Sequence, residues 1–428
     1  MIYIYSHTNT SRLQYTLEVL FKHILNVSFE VVDKAEFETI TDVPKINYSS
    51  TQLPNSLWIK PHKLLFESSI QTQDTAVTHK EAIPYFFKTS NEADFSFDIL
   101  ASSFYMLSRY EEYLPFEADI HGRFTATQSL AYKANFLHLP VVNIWANQLR
   151  DLITKQFSNF KFPKKEYSQH NTIDIDYAYD FKGKPVLRRL GGLLKSCITF
   201  DVNSIKNRIS YCFGGKDPFD VYDLLYQLQK ENTIKTTYFF QVGDYGKFDK
   251  NLPLKKPLKN LIKHVSNFAT IGLHPSYGSN ADFNKLEKEH QNLSKVIGKP
   301  VTKSRQHFLK LAFPTTFENL IKLGVQEDYS MGFANELGFR AGISNAFPFF
   351  NLKTNTQRPL SLNPFQIMDV TLKDYLKLSP KEAVNQINTI KKTIQKEGGV
   401  FISLFHNSSL TDKGEWAGWL AIYKEAIR

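Results

Sequence analysis

The sequence predicts an α/β protein of two parts, a smaller mixed α/β domain at residues 1–165 and a distorted seven-stranded (β/α) barrel at residues 166–428. The length of 428 residues suits two domains better than one. The segment FSNFKFPKKEYSQHN, with a proline and two adjacent lysines, is typical of a linker between them. After this linker, short apolar segments alternate with amphipathic ones, which is typical of parallel strands joined by right-handed helical crossovers.

The first part carries one predicted strand and three predicted helices. The strand lies at residues 2–5, and two of the helices lie at residues 97–114 and 141–157. The remaining helix follows the strand, because apolar side chains recur there at helical spacing. These side chains are Leu13, Leu17, Leu20, Phe21 and Ile24. This arrangement predicts a small mixed domain and does not indicate its function.

The second part carries seven short strand candidates. They lie at residues 172–176, 236–241, 270–274, 303–307, 325–329, 366–370 and 400–406. Helices are predicted between most of them. The helix after Gly215 can be capped by Asp217 and begin with Pro218, which suits a first turn. Seven strands with intervening helices favour a closed or nearly closed barrel.

The composition restricts both the kind of metal site and the kind of partner. Cys197 and Cys212 are the only cysteines, so a metal would have to be held by histidines and carboxylates. The formal charge of +10 favours an anionic partner such as an acidic polysaccharide, a membrane surface or nucleic acid. No recognised nucleic-acid-binding motif is present, so nucleic acid is not an expected partner.

The sequence predicts a cytoplasmic location. The first residues do not combine a charged segment with an apolar one as a secretory signal does. No apolar run approaches the ~18 residues of a membrane span. Residues 182–208 mix basic side chains with leucines, which leaves open an attachment to a membrane surface. The members of this stretch are Lys184, Arg188, Arg189, Lys195, Lys206 and Arg208, with Leu187, Leu190, Leu193 and Leu194.

Polar side chains stand at the carboxyl ends of five of the predicted strands. In a parallel barrel the active site forms at these ends, so we expect the side chains to share one rim. They are Asp174, Asp176, His274, Arg305, His307, Asp328 and His406. Each alone would be interpreted as a strand-end residue facing water, but seven together predict a site. Asp119 and His121, in the first part, are interpreted as a turn that ends a helix.

Several of these residues lie in motifs that resemble those of the polysaccharide deacetylases, carbohydrate esterase family four. The motifs occur in the family's order from about Asn171 to the C-terminus: TIDID, IGLHPS, SRQH, EDYS and GGVFISLFH. The segment SRYEEYLPFEADIHGRF is similar to one in a divergent bacterial branch whose members carry an extra N-terminal domain of unknown function. The resemblance implies a distorted barrel of seven strands and a metal-dependent deacetylase that acts on an acetylated carbohydrate or polysaccharide.

The resemblance implies a role for each carboxylate and histidine of these motifs. Asp174 would be the catalytic base and His406 the general acid. Asp176 and His274 would bind a divalent metal, expected to be zinc. The metal would activate a water, the base would take its proton, and the acid would protonate the departing amine. Ile175 separates two aspartates that are adjacent in the family, but side chains two apart in a strand share a face.

Three further residues are implied in catalysis. Arg305 stands where the family's arginine holds the catalytic aspartate. Arg340, in the segment GFRAG, is a second candidate for that role or for contact with substrate. Asp328 lies in the EDYS motif. Buried arginines need carboxylate partners, and the aspartates of these motifs would supply such partners for Arg305 and Arg340.

The chain departs from the family at one metal ligand. A second histidine is expected four residues after His274, where Gly278 stands, and a catalytic zinc needs about three protein ligands and a water. We expect His307, at the end of the neighbouring strand, to supply the missing ligand. His264 and His290 lie on charged helices and are interpreted as surface residues. The alternative is a carbohydrate-binding protein on the same barrel with impaired catalysis.

Overall fold

The computed structural model describes residues 1–200 and 202–428, apart from the side chains of Val186, Lys195 and Asn203. Residue 201 and the side chain of Lys195 belong to the basic stretch 182–208, so that part of the predicted membrane attachment lies outside the described residues. None of the helices in the described ranges combines the length and the apolar composition that a membrane span needs.

The first part of the chain contains a four-stranded parallel sheet and a small hairpin. The sheet strands are β1 (Ile2–Ser6), β2 (Phe29–Val32), β3 (Lys45–Tyr48) and β4 (Leu57–Trp58), and the hairpin strands are β5 (Thr78–Lys80) and β6 (Ile83–Tyr85). The sheet order is β2-β1-β3-β4. The predicted strand at residues 2–5 is confirmed as β1. The other sheet strands were not predicted, because two to four residues are too few for an alternating pattern to be visible.

Five helices accompany this sheet, of which the first two connect its strands and the other three follow the hairpin. They are α1 (Ser11–Leu17), α2 (Lys34–Thr39), α3 (Ile99–Leu107), α4 (Leu130–Lys133) and α5 (Val141–Gln156). The three predicted helices correspond to α1, which continues as a π-helix, to α3 and to α5. α3 is shorter than predicted. The Asp98 carboxylate caps its first amides, and Arg109, with a left-handed φ of 51°, follows its last turn.

The second part of the chain contains all seven predicted strands, three of them with only two residues. The strands are β7 (Tyr167–Ile175), β8 (Lys235–Phe240), β9 (Thr270–Leu273), β10 (Lys303–Ser304), β11 (Glu327–Asp328), β12 (Phe347–Asn351), β13 (Thr356–Leu362), β14 (Ile367–Met368) and β15 (Gly399–His406). The helices are α6 (Val186–Ile198), α7 (Val202–Cys212), α8 (Tyr222–Glu231), α9 (Lys256–Ser266), α10 (Phe283–Ile297), α11 (Thr315–Lys322), α12 (Pro380–Glu397) and α13 (Trp419–Ile427). The predicted cap at Asp217 is wrong. Its carboxylate accepts the backbone amides of residues 180–182 and that of Phe219 in a turn, and α8 begins later, at Tyr222.

The nine strands form one open sheet with the order β12-β13-β11-β10-β9-β8-β7-β15-β14. Neighbouring strands are parallel except in the β12–β13 hairpin. In a closed barrel of the seven predicted strands, β14 would pair with β11, but the unpredicted β13 occupies that edge. No ladder joins β12 to β14 within the described residues. The predicted seven-stranded barrel is therefore not confirmed, and the architecture is a mixed α/β fold around a nine-stranded sheet.

The sheet nevertheless curls around a shared interior. Tyr329, after β11, and Phe365, before β14, lie far apart in the strand order, yet both rings pack around the guanidinium of Arg305. The ring centres are 5.9 and 5.4 Å from its central carbon. Together with Phe239 of β8, the two rings belong to one buried cluster. This curvature brings the carboxyl ends of distant strands toward one another.

The two parts of the chain share one continuous buried core. Glu112 of the first part forms a buried ion pair with Arg340 of the second, and the same carboxylate binds Arg109 at 2.8 Å. Burial favours the neutral acid, but the two guanidiniums outweigh it and lower the pKa of Glu112 below its usual value. Removing one partner of such a buried pair typically lowers the free energy of unfolding by about 3–5 kcal/mol. The pair therefore stabilises the contact between the two parts of the chain. The division at residues 165 and 166 stays a prediction.

Candidate metal centre

Three potential metal ligands converge from three strand ends. Asp176 follows β7, His274 follows β9 and His307 lies just after β10. One ligand atom from each lies within 4.8 Å of the other two. Nε2 of His274 is 3.0 Å from Oδ1 of Asp176, and Nε2 of His307 is 3.5 Å from its Oδ2. This arrangement could hold a metal ion between one carboxylate and two imidazoles.

The His274 ring is held in a tautomer suited to metal binding. Its Nδ1 lies 2.6 Å from the carbonyl oxygen of Arg305. A carbonyl only accepts hydrogen bonds, so Nδ1 carries a hydrogen, and in the neutral ring Nε2 is the nitrogen whose lone pair faces Asp176. A backbone carbonyl behind the distal ring nitrogen is a common support of metal-binding histidines.

The His307 ring is supported by a carboxylate. Its Nδ1 lies 3.0 Å from Oδ1 of Asp249, which also accepts the backbone amide of Tyr277 at 2.8 Å. Burial opposes a charge on the ring, but Asp176 and Asp249 outweigh it and raise the pKa of His307 to about 9. The centre therefore stabilises positive charge at this position. A carboxylate behind a histidine, with a second carboxylate in front, is an arrangement that metal sites use.

The carboxylate of Asp176 provides a test of whether these residues fit a cation. Its Oδ1 is buried and has no hydrogen-bond donor among the described residues, although Nε2 of His274 is 3.0 Å away. In the neutral form of the ring, which is the form that binds a metal, this nitrogen and the carboxylate face each other with lone pairs, which a shared cation satisfies. One carboxylate and two imidazoles suit a first-row divalent ion and leave a position open for water or substrate. The donor set fits.

A second aspartate lies beside the three ligands. Oδ1 of Asp174 accepts a hydrogen bond from Nη1 of Arg305 at 3.1 Å, and its Oδ2 lies 3.8 Å from Nε2 of His274. Arg305 is fully buried in the sheet interior, so it fixes the carboxylate from behind. Asp174, in β7, and Asp176, directly after it, both reach the centre because side chains two apart in extended chain share a face.

His406 faces the same centre from β15. Its Nε2 is 3.7 Å from Oδ2 of Asp176, and its Nδ1 is 2.8 Å from Oδ1 of Asp369. Asp369 also accepts the backbone amide of His406 and the hydroxyl of Ser409. Burial opposes the charged ring, but Asp369 outweighs it and raises the pKa of His406 to about 10. The ring is thus oriented by one carboxylate and favours its protonated form.

These groups line a cavity of about 170 Å³ with one apolar wall. Leu309, Met368 and Leu404 contribute to that wall. Leu309 and its neighbour Phe308 both have left-handed backbones, with φ of 52° and 59°. Such conformations cost about 1–3 kcal/mol each in residues other than glycine and occur preferentially at binding sites. The strained turn begins at His307, which it supports at the edge of the cavity.

The first part of the chain also reaches this cavity. Arg123 lines it, donating from Nη1 to the carbonyl of Phe308 at 2.9 Å and from Nε to Asp119 at 2.7 Å. The ring of His121 packs against that of Phe308, with centres 4.7 Å apart. Asp119 and His121 form a turn as predicted, but the turn does not end a helix, since α3 ends at Leu107. The fold brings this turn against the turn after β10, which the sequence did not indicate.

Comparison with known proteins gives one family match, over the first part of the chain, and several structural similarities of low score. A model of a family of unknown function, DUF7033, matches residues 2–158. No curated protein matches the chain. A protein described as a polysaccharide deacetylase from Mycobacterium smegmatis is similar in structure, with 14% identity and a TM-score of 0.40, covering 63% of this chain and 85% of that one.

Two further solved structures are similar over comparable lengths. The Puue allantoinase has 10% identity and a TM-score of 0.38, covering 61% of this chain and 83% of its own. The polysaccharide deacetylase from Bacillus cereus has 11% identity and a TM-score of 0.27, covering 62% and 86%. Because all three TM-scores are below 0.5, these similarities support no conclusion about this chain, and the functional argument rests on the geometry of the centre.

Three of the residues predicted to be catalytic do not line the cavity: Arg305 stands behind it, and Asp328 and Arg340 lie away from the centre. Asp328 is buried beneath it, where its carboxylate accepts the amide and the hydroxyl of Ser330. Burial raises the pKa of Asp328 to about 6, and the Arg305 charge partly offsets this. Arg340 binds Glu112 and borders an adjoining cavity, which shares Arg123 and Leu309 with the first. Apart from Asp328 and Arg340, the predicted site residues meet at the centre, five lining the cavity and one behind: Asp174, Asp176, His274, His307 and His406, with Arg305.

Two histidines were interpreted as surface residues, and one of these interpretations is wrong. His290 is buried, and its Nε2 lies 2.7 Å from the carbonyl oxygen of Val301. The backbone acceptor satisfies the ring and explains how it is tolerated inside. His264 is exposed, as expected. Sequence reasoning also missed Asp249 and Asp369, the two carboxylates that orient ring nitrogens at the centre.

Proposed function

We propose that the protein is a metal-dependent hydrolase that removes an N-acetyl or related acyl group from a carbohydrate or polysaccharide. The observation that carries the proposal is the convergence of Asp176, His274 and His307 on one point, with Asp174 and His406 beside it. A ligand triad flanked by a carboxylate and a protonated histidine is suited to acyl hydrolysis. The resemblance of the motifs to polysaccharide deacetylases supports the substrate class.

The metal site would be formed by Asp176, His274 and His307, with zinc as the expected ion. A divalent ion held there would supply Lewis-acid polarisation of the acyl carbonyl and of water. The hydrogen bonds to Arg305 and Asp249 keep both imidazoles oriented toward the site without the ion. The ligands therefore need little rearrangement on binding it.

Asp174 is the proposed general base. Arg305 holds Oδ1, which leaves Oδ2 to take the proton of the attacking water. Asp328, whose charge faces Arg305 from below, is proposed as a positioning residue. Arg340 is proposed to act at longer range, by fastening the first part of the chain through Glu112.

His406 is the proposed general acid. Its Nδ1 is tied to Asp369, so Nε2 is the atom from which a proton passes to the departing amine. The apolar wall of the cavity, with Leu309 and Leu404, suits the methyl of an acetyl group. A cavity of about 170 Å³ is smaller than the ~300–1,000 Å³ of typical whole-ligand pockets, so the acyl group would enter and the sugar would remain at the rim.

A carbohydrate-binding protein with impaired catalysis is the second candidate. The observation that favours it is Gly278, which offers no side chain where the family's second histidine is expected. The two candidates differ in whether metal restores turnover.

Release of acetate from oligomers of N-acetylglucosamine tests the proposal. The protein is stripped with a chelator and reconstituted with zinc, cobalt or nickel in separate samples. We expect release that depends on the added ion and is absent in Asp174→Asn. Binding of the oligomers without release under any of the ions would favour the second candidate.

A further inference from the structure

Helices α6 and α7, together the α6–α7 hairpin, expose an unusual amount of apolar surface. Of the 18 large hydrophobic residues that are exposed among the described residues, nine lie between positions 187 and 213. Leu187, Leu190, Leu194 and Ile198 follow a helical spacing and form one stripe along α6. Leu187 is 83% exposed and Ile198 68%. A contiguous apolar face of this kind marks a surface that binds something.

The packing inside the hairpin explains why this stripe faces outward. The two helices meet through small and polar residues, with the hydroxyls of Ser196 and Ser204 2.9 Å apart. Gly192 lies against the guanidinium of Arg208, where a Cβ would approach Nη2 to 2.7 Å. The closest approach of the two helices thus uses small and polar residues of α6. Leu190, at the edge of the stripe, lines a cavity with Tyr211 of α7, and the rest of the stripe faces outward.

The charge of the hairpin indicates what covers the stripe. Residues 182–208 carry seven basic side chains and one acidic one, a net charge of +6. Arg189 and Lys206 are exposed and form no ion pair with any carboxylate among the described residues. A second copy of the chain would present the same positive face, so like charges oppose self-association through it. An anionic surface is complementary to both the charge and the shape of the hairpin.

We propose that the α6–α7 hairpin docks on the surface of an anionic lipid bilayer, with the leucine stripe among the acyl chains near the headgroups. Basic residues flanking an apolar helical face are the features by which helices lie on membranes. Nη2 of Arg188 donates to the carbonyl of Lys250 at 2.9 Å, next to the Asp249 that supports His307. This hydrogen bond ties the start of α6 to the loop that carries Asp249, so the hairpin and the candidate metal centre share one supporting loop. The proposal does not depend on any activity of that centre.

Vesicle binding by the full chain tests the proposal. Cys197 and Cys212 are the only cysteines, and both are exposed on the hairpin, so an environment-sensitive fluorophore attached there reports on this region alone. The protein is mixed with vesicles of phosphatidylcholine, or of phosphatidylcholine with phosphatidylglycerol, in the presence of a chelator. We expect a blue shift and co-sedimentation with the anionic vesicles, both reduced by high salt.

Two double variants and a control separate the contribution of the apolar face to vesicle binding from that of the basic charge. Leu190→Ser with Leu194→Ser, and Arg189→Glu with Lys206→Glu, should each lower the partition coefficient roughly tenfold or more. Tyr132→Ser, which changes an exposed ring on α4, should leave it unchanged. Equal binding to neutral and anionic vesicles, or no binding to either, overturns the proposal. Light scattering tests the other possible occupant. If the protein is a dimer that the two leucine substitutions convert to a monomer, the face binds a second copy of the chain, and the membrane proposal is overturned.

Discussion

The candidate metal centre and the α6–α7 hairpin both depart from the usual rule that charged side chains are exposed and apolar side chains are buried, each for a different class of side chain. At the centre, charged groups such as Asp174 and Arg305 are buried. In the hairpin, apolar side chains such as Leu187 are exposed. Both arrangements cost free energy unless a partner compensates them. At the centre most charged groups have partners within the described residues, and among its buried carboxylate oxygens only Oδ1 of Asp176 has no hydrogen-bond donor, which suits a single ion. The hairpin exposes a whole apolar face, which suits an extended surface.

The largest effect is expected at the centre, for Asp174→Asn. Acyl hydrolysis should fall by at least ~10²-fold, the lower end of what a general base contributes. Metal binding should be nearly unchanged, because the base acts on water and does not hold the ion. Asp176→Asn should lose both, since its carboxylate faces both histidines. Acetate release and metal content are measured on the same samples, and equal loss of metal in the two variants would show that the roles are assigned wrongly.

An intermediate effect is expected for Asp249→Asn, which changes the support of a ligand and not the ligand. The substitution keeps the shape but weakens the hold on Nδ1 of His307. Loss of such a support typically weakens metal affinity by ~10–100-fold. Asp244→Asn is the matched control, because it lies in the same loop with a side chain that is 93% exposed. Calorimetric affinities that are equal in the two variants would mean that Asp249 does not orient the ring.

The smallest effect is expected in the hairpin, on stability. Leu190→Ser with Leu194→Ser should change the free energy of unfolding by less than about 0.5 kcal/mol per substitution, since exposed side chains lose little packing. Leu404→Ala, at the wall of the cavity, should cost about 2–5 kcal/mol because that side chain is buried. Urea denaturation gives both values. If the hairpin variant is destabilised as much as Leu404→Ala, the leucine face is covered within the folded chain.

The strand-end residues of the centre could be found from the sequence, and their supports could not. Once strands are located, the carboxyl-end rule picks out Asp176, His274 and His307 without further knowledge of the fold. Asp249 lies in a loop with no periodic pattern, 58 residues from the histidine it contacts, so only the folded chain brings the two together. Asp369 stands at the end of a predicted strand and carried the same signal as the others, but it was not singled out.

Neither the open edge of the sheet nor the exposed face of the α6–α7 hairpin could be predicted from the pattern of apolar residues. In the structure β13, which forms a hairpin with β12, pairs with β11. The spacing of the seven predicted strands does not indicate that two further strands are inserted there. The leucines of α6 show which side chains share a face. Periodicity does not say whether another element covers that face, which depends on Ser196 and Gly192 forming the contact with α7.

The central claim, that His307 completes a metal site with Asp176 and His274, is tested most directly by calorimetric titration of zinc into the metal-free protein. The account predicts one ion per chain and an affinity at least tenfold weaker in His307→Ala, or about 1.4 kcal/mol. His264→Ala, which removes an exposed histidine on α9, should leave the affinity unchanged. An unchanged affinity in His307→Ala, with the fold intact, would contradict the account.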